Sequence, residues 1–290
     1  MMYCNSLLTP IQKLELWLIH RNLKVNFLII GAAKSATTSL SNALSKHPDI
    51  CFSKPKEPQF FSRKDWRERI SDYHNLFEKD AKLYGEGSTN YTKYPLFNTN
   101  IHDDIYEYNP DMKLIYIMRH PIDRIISQYI HVYNRGYETS KDMNNTILSN
   151  PNYVNISRYA MQINPYIERF SRENVLLLFF EDFIDDPQNV LHTVFSFLEL
   201  DTMEIKAKDM SQNKSFNRRV LPYQYDNPKT TWLKLKKIGL IVKNYFNTDF
   251  IDFKPQISAA TKSYILEHVK ADIKTIETLT NRDLSHWLKP

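Results

Sequence analysis

The chain has 290 residues, of which 42% are hydrophobic and 13% aromatic, which is enough for one large α/β domain with a packed core. The mean hydropathy of -0.49 excludes several membrane spans, and two cysteines are too few for a disulfide framework. The net charge of +5 suits small anionic ligands and falls short of the concentrated basic stripe of a nucleic-acid binder.

The N-terminal segment predicts a short surface helix. Residues 11–24, IQKLELWLIHRNLK, are interrupted by charges, and their apolar part is far shorter than the roughly 20 residues that cross a bilayer. No basic start followed by a long apolar run and a cleavage site is present, so we expect no secretion signal.

Residues 27–40, FLIIGAAKSATTSL, predict a buried strand, a small-residue turn and a helix start. A helix that opens over residues 35–38 points unpaired N–H groups outward, and Lys34 and the hydroxyls of Thr37, Thr38 and Ser39 would add to this anion site. The lysine precedes the position it has in G-x-x-x-x-G-K-[ST], which argues against a magnesium-dependent kinase. The alternative is an ordinary turn of an α/β protein.

A second candidate lies in KPKEPQFFS, residues 54–62. The proline after Glu57 favours an extended backbone there, so the side chain can project from a loop and act as a general base. In the alternative interpretation, Lys56 and Glu57 form a solvated charge pair and the two phenylalanines belong to the core.

Short β-rich runs alternate with helical patterns along the chain, which predicts an α/β fold with a mainly parallel sheet in a single domain. The predicted strands are 25–30, 50–52, 83–85, 113–118 and 174–180, and the predicted helices are 37–46, 122–133, 159–170, 187–198 and 258–279. Residues 206–255 break this rhythm and predict loop plus an amphipathic helix.

The third candidate, RHPIDRIISQY at residues 119–129, follows the strand KLIYIM directly. Ligands of such sheets bind at the carboxyl ends of strands, so Arg119 and Lys34 can face one crevice. Arg119 and Ser127 together predict a phosphate-binding pair. The alternative is that Arg119 pairs with a carboxylate and that Ser127 is a surface hydroxyl.

Taken together, these motifs resemble the sulfotransferases that use 3'-phosphoadenosine 5'-phosphosulfate, over about residues 27–200. GAAKSATTSL resembles the loop for the 5'-phosphosulfate, RHPIDRIISQY the 3'-phosphate motif, and KEPQFF the segment with the glutamate base of heparan-type carbohydrate enzymes. GEGSTNY and ENVLLLFFEDFIDDP are also similar to the family. The resemblance implies a P-loop-like sulfotransferase domain over residues 25–290, after an N-terminal extension of residues 1–24.

The resemblance also implies residue roles. Lys34 would contact the bridging oxygen and the sulfuryl group. Thr37, Thr38 and Ser39 would contact the 5'-phosphate, and Arg119 and Ser127 the 3'-phosphate. Tyr159 would lie near the adenosine, and a lid over the nucleotide would contribute Arg218 and Arg219. The cofactor-binding set is thus Lys34, Ser35, Ala36, Thr37, Thr38, Ser39, Arg119, Ser127, Tyr159, Arg218 and Arg219.

One departure from the family concerns Ala36, which replaces the usual glycine. Alanine would cost little at a negative φ, whereas a positive φ would impose strain and weaken cofactor binding.

The implied reaction is metal-free in-line sulfuryl transfer to an acceptor hydroxyl, with Lys34 at the leaving oxygens and Glu57 as base. His120 and His131 are weaker candidates for the base. A carbohydrate acceptor is favoured, and a hydroxylated secondary metabolite is the alternative. The implied enzyme is cytoplasmic, with no membrane span and no nucleic-acid partner. A kinase-like enzyme or a nucleotide-binding module without chemistry stays open as another class.

Overall fold

The computed structural model describes residues 23–206 and 255–289. The chain divides into two compact units, and within the described ranges the first takes residues 23–119 and 159–206 and the second takes residues 120–158 and 255–289. The N-terminal extension, most of the segment 206–255 and both arginines of the predicted lid, Arg218 and Arg219, lie outside the described residues. The division into an extension and one domain stays a prediction.

Five parallel strands form the sheet of the first unit, in the order β2-β3-β1-β4-β5. The strands are β1 (Phe27–Gly31), β2 (Ile50–Phe52), β3 (Leu83–Gly87), β4 (Lys113–Met118) and β5 (Val175–Phe179). Every residue of β1 is buried, as expected for the central strand of a sheet that is covered on both faces. The predicted α/β fold with a parallel sheet is confirmed.

The helices follow the strands in the manner of a βαβ protein. They are α1 (Thr37–Leu44), α2 (Ile70–His74), α3 (Ile101–Tyr108), α4 (Pro121–Asn134), α5 (Met143–Ser149), α6 (Asn152–Asn155), α7 (Tyr159–Phe170), α8 (Phe180–Asp185), α9 (Pro187–Phe197) and α10 (Ala259–Thr280). None of the helices in the described ranges is long and apolar enough to cross a membrane.

The core of the first unit joins the sheet to α1 and α9. Side chains of β1 and β4, including Phe27, Ile29 and Ile117, pack against Leu40 of α1 and Leu191 of α9. All five of these side chains are fully buried, so the two helices hold the strand ends in fixed positions.

The second unit is built from α4, α5, α6 and α10. The fully buried Arg124 of α4 donates to the carbonyl oxygen of Tyr153 at 2.6 Å and to the hydroxyl of Ser157. Arg158 pairs with Asp272 of α10 at 3.0 Å. These charged contacts link the helices of this unit to one another.

Candidate functional site

The turn between β1 and α1 has an unusual backbone. Lys34 and Ala36 both have positive φ angles, 74° and 64°, which a residue with a Cβ adopts only at a cost in conformational energy. The turn is anchored to β4, because the N–H of Ala32 donates to the carbonyl oxygen of Ile117 at 2.8 Å. A side chain at Gly31 would collide with the Thr92 hydroxyl, which explains the glycine there.

The N-terminus of α1 shows the features of an anion site. Ala36 occupies the capping position and has no side-chain oxygen, so no side chain caps the first N–H groups of the helix. The fully buried hydroxyl of Ser35 has no hydrogen-bond partner within the described residues. Phosphate or sulfate oxygens would satisfy both kinds of donor. Thr37, Thr38 and Ser39 follow on the first turn of the helix, as predicted.

Arg119 brings the end of β4 to this turn. Its guanidinium donates to the carbonyl oxygen of Lys34 at 3.3 Å and lies over the Phe180 ring at 4.4 Å. The backbone of Arg119 is fixed by Tyr159, whose hydroxyl donates to the Arg119 carbonyl oxygen at 2.5 Å. Lys34, Arg119 and Tyr159 therefore meet at the carboxyl ends of two neighbouring strands, and within the described residues Arg119 contacts no carboxylate at ion-pair distance.

Glu57 lies in the loop that follows β2, at the same carboxyl edge of the sheet. Strand order places β2 two strands from β1, or roughly 10 Å at the usual strand spacing. Glu57 accepts from the Lys56 ammonium at 2.9 Å, and its side chain is 35% exposed. The charge pair of the alternative interpretation is thus present, but it is half-buried and lies at the edge where ligands bind.

A second carboxyl group lies beneath this loop and was not singled out from the sequence. Glu86 of β3 is fully buried, and burial raises its pKa to about 7 although Ser88 and Tyr91 donate to it. The charge of Glu57 raises this pKa further, and that of Lys56 lowers it. The signal in the sequence is an acidic residue between two glycines in a strand, GEG, where a carboxyl group has no exposed face.

The remaining predicted residues are less closely connected to this site. Ser127 lies on α4 in the second unit with 9% exposure, and its pairing with Arg119 on one phosphate stays a prediction. His120 precedes α4, and its ring lies 6.2 Å from that of Trp287. His131 lies in the last turn of α4. Within the described ranges, no group of three or more His, Cys, Asp or Glu side chains is placed to hold a metal ion.

The family comparison covers most of the chain. Residues 24–252 match the sulfotransferase domain family. The chain belongs to this family. The parallel sheet, the turn at Lys34 and the Arg119 strand end are therefore the P-loop-like fold of a sulfotransferase.

The proteins to which the chain is similar are distant relatives, and those compared below are all sulfotransferases. Carbohydrate sulfotransferase 15 of Mus musculus is 25% identical over 264 residues, covering 67% of this chain and 47% of the relative. Heparan sulfate glucosamine 3-O-sulfotransferase 3B1 of Mus musculus is 26% identical over 181 residues, covering 60% and 45%. The chain spans just under half the length of these relatives. A solved sulfotransferase from Alicyclobacillus acidocaldarius has a TM-score of 0.68 at 25% identity and covers 92% of this chain and 100% of its own.

Proposed function

We propose that this protein transfers a sulfuryl group from 3'-phosphoadenosine 5'-phosphosulfate to an acceptor hydroxyl. The observation that carries this proposal is the contact between Arg119 and Lys34, which places two cationic residues beside the uncapped start of α1. The buried Ser35 hydroxyl, which has no hydrogen-bond partner in the described part of the chain, adds a donor for the same ligand. Family membership supports the nucleotide, because sulfotransferases of this kind take the sulfuryl group from it.

In the proposed reaction the acceptor oxygen attacks the sulfur in line with the leaving 5'-phosphate. A bond forms between the acceptor oxygen and sulfur, and the bond from sulfur to the bridging oxygen breaks. The ammonium of Lys34 and the N–H groups at the start of α1 stabilise the negative charge that develops on the bridging oxygen. The acceptor proton passes to Glu57, whose carboxylate is oriented by Lys56 at 2.9 Å.

We propose a carbohydrate as the acceptor. Two of the relatives are named for carbohydrate and heparan sulfate substrates, and their likeness extends over 67% and 60% of this chain. Glu57 is 35% exposed at the edge of the sheet, so a large acceptor could reach its carboxylate from solvent.

Nucleotide binding is tested by thermal shift. We expect 3',5'-diphosphoadenosine to raise the melting temperature with EDTA present, because cationic side chains and N–H groups alone hold the phosphates. ATP with magnesium is the comparison ligand and should give a smaller shift. Stabilisation by ATP with magnesium alone would contradict the proposal and favour a kinase-like enzyme.

Transfer is tested with sulfur-labelled 3'-phosphoadenosine 5'-phosphosulfate and desulfated heparan sulfate as acceptor, with a simple phenol in parallel. Label in the polysaccharide supports the carbohydrate proposal. Label in the phenol alone would overturn it in favour of small hydroxylated acceptors, and label in neither would overturn both.

The role of Glu57 is tested by Glu57→Gln. We expect turnover to fall about 100-fold, because the amide cannot take the acceptor proton, while the shift produced by 3',5'-diphosphoadenosine is unchanged. Glu78→Gln is the control, since Glu78 also pairs with a lysine of this segment, Lys54 at 2.7 Å, but is exposed. Equal turnover in Glu57→Gln and the wild type would exclude Glu57 as the base.

A further inference from the structure

We propose that Glu86 is a positioning residue that holds the Glu57 loop in place through the hydroxyl of Ser88. The inference rests on the proposed function, in which Glu57 takes the acceptor proton. Glu86 is fully buried, so its carboxyl group cannot touch an acceptor and acts only through its neighbours.

The loop around Glu57 is tied to the end of β3 on both sides. On the near side, the N–H of Gly87 donates to the carbonyl oxygen of Lys56 at 3.3 Å. On the far side, the N–H of Gln59 donates to the Ser88 hydroxyl at 2.9 Å. Ser88 in turn donates to Glu86 Oε2 at 2.7 Å. The backbone of residues 56–59 is therefore held at both ends, with Glu57 between the two contacts.

Glu86 is also held at its other carboxyl oxygen. Its other oxygen, Oε1, accepts from the hydroxyl of Tyr91 at 2.5 Å and from that of Tyr73 at 3.4 Å. Within the described residues, all three contacts of the carboxyl group are thus with hydroxyl donors, and an ionised carboxylate offers an acceptor lone pair to each of them without carrying a competing hydrogen. A proton on Oε2 would make that oxygen a donor to the Ser88 hydroxyl oxygen, and the Ser88 hydrogen would have to turn away from its present bond.

The charge of Glu86 also acts on Glu57. In the described part of the chain, the titratable groups that face Glu86 are Lys56, Glu57, Tyr73 and Tyr91. Burial raises the pKa of both tyrosines well above their usual range, so they stay neutral. The pKa of Glu86 is raised to about 7, so this carboxyl group changes its charge near neutrality. Ionised Glu86 therefore places a second negative charge beneath the Glu57 loop.

A purely structural role would have a different signature. A buried carboxyl that only supports packing would affect turnover by the same factor at every pH. If Glu86 holds the loop only when it is ionised, the ratio of wild-type to Glu86→Gln turnover grows as the pH rises through 7.

The experiment compares the wild type with Glu86→Gln and Ser88→Ala. Tyr73→Phe is the matched control, because it removes a buried hydroxyl that donates to the other oxygen of Glu86 at 3.4 Å and leaves both the ring and the bond from Ser88 in place. Turnover is measured from pH 6 to 8.5 with labelled 3'-phosphoadenosine 5'-phosphosulfate and desulfated heparan sulfate, and hydrogen exchange is measured at the Gln59 amide.

We expect Glu86→Gln to match the wild type at pH 6 and to be about tenfold slower in kcat at pH 8.5, with KM for the nucleotide unchanged. At pH 8.5, where Glu86 of the wild type is ionised, exchange at Gln59 should be at least about tenfold faster in Ser88→Ala and Glu86→Gln, and unchanged in Tyr73→Phe. A ratio of wild-type to Glu86→Gln turnover that is constant with pH, or unchanged exchange at Gln59, would overturn the proposal.

These outcomes are distinguishable from failure of the proposed function. If wild-type protein neither binds 3',5'-diphosphoadenosine nor transfers label, the sulfotransferase activity and the role of Glu57 fail. Exchange at Gln59 still decides in that case whether Glu86 and Ser88 hold the loop, because that measurement needs no substrate.

Discussion

At the scale of single residues, Ala36 is the departure from the family whose physical cost the structure reveals. Its φ of 64° lies in the left-handed region, where the alanine Cβ is unfavourable and glycine is not. Of the two backbone conformations considered for Ala36, with negative or positive φ, the structure has the strained one with positive φ. Ala36→Gly should therefore raise the free energy of unfolding by roughly 1 kcal/mol and tighten 3',5'-diphosphoadenosine binding, measured by urea denaturation and calorimetry.

Ala33 in the same turn is the control for this substitution. It is buried and is not among the residues with positive φ. Ala33→Gly therefore relieves no backbone strain and only increases the conformational entropy of the unfolded chain. That variant should be less stable than the wild type. Destabilisation of similar size in both variants would show that the left-handed conformation at Ala36 carries no strain.

Arg119 is the second residue whose chemistry can be tested in isolation. Arg119→Lys keeps the charge but loses the planar donor pair and the stacking on Phe180. We expect about tenfold weaker binding of 3',5'-diphosphoadenosine and unchanged binding of adenosine 5'-phosphate, because only the former carries the 3'-phosphate. Arg63 is exposed, and Arg63→Lys is the control. Equal losses of affinity for both ligands in Arg119→Lys would exclude Arg119 from the 3'-phosphate site.

At the scale of elements, the start of α9 depends on one side chain. Asp186 Oδ1 accepts from the N–H of Asn189 at 3.1 Å, ahead of Pro187 in the first turn. Asp186→Ala should lower the free energy of unfolding by about 1 kcal/mol, measured by urea denaturation, because α9 packs on the sheet core. Asp186→Asn keeps an accepting oxygen and should cost much less, and equal costs would mean that the cap contributes nothing.

Long elements with a strong apolar pattern were predictable from the sequence. Strand β4 and helix α7 have the predicted bounds, because a continuous apolar run marks a buried strand and a long amphipathic helix has a clear periodicity. Short helices such as α2 and α6, with five and four residues, were not predicted. Their few turns carry too little periodicity to be distinguished from loops, and tertiary packing decides their conformation.

The candidate site was predictable where a motif is local. Arg119 and Lys34 were expected to lie near each other, because the carboxyl ends of neighbouring parallel strands meet at one edge of the sheet, and that they bind one nucleotide stays a prediction. Glu86 was missed because its role depends on Ser88 and Gln59, which are brought together only by folding. The positive φ at Ala36 was left open as well, since the sequence alone does not set a backbone angle.

At the scale of the whole molecule, Glu86 makes stability depend on pH. Its pKa is raised from 4.5 to about 7, so between these values the folded protein binds more protons than the unfolded chain. The free energy of unfolding therefore falls as the pH rises through this window, by up to roughly 3 kcal/mol. Glu86→Gln has no proton to lose, and its stability relative to the wild type should improve by up to that amount between about pH 5 and pH 8.

Urea denaturation at the two pH values measures this difference, and Glu107→Gln separates it from a general effect of removing a carboxylate. Glu107 is exposed, and the hydrogen bond from Arg67 lowers its pKa, so ionisation of Glu107 favours the folded state. Its substitution should therefore give no gain at the higher pH. A stability difference between Glu86→Gln and the wild type that is the same at both pH values would show that Glu86 ionises equally in the folded and unfolded chain, and the charge-linked control of the Glu57 loop would then have no physical basis.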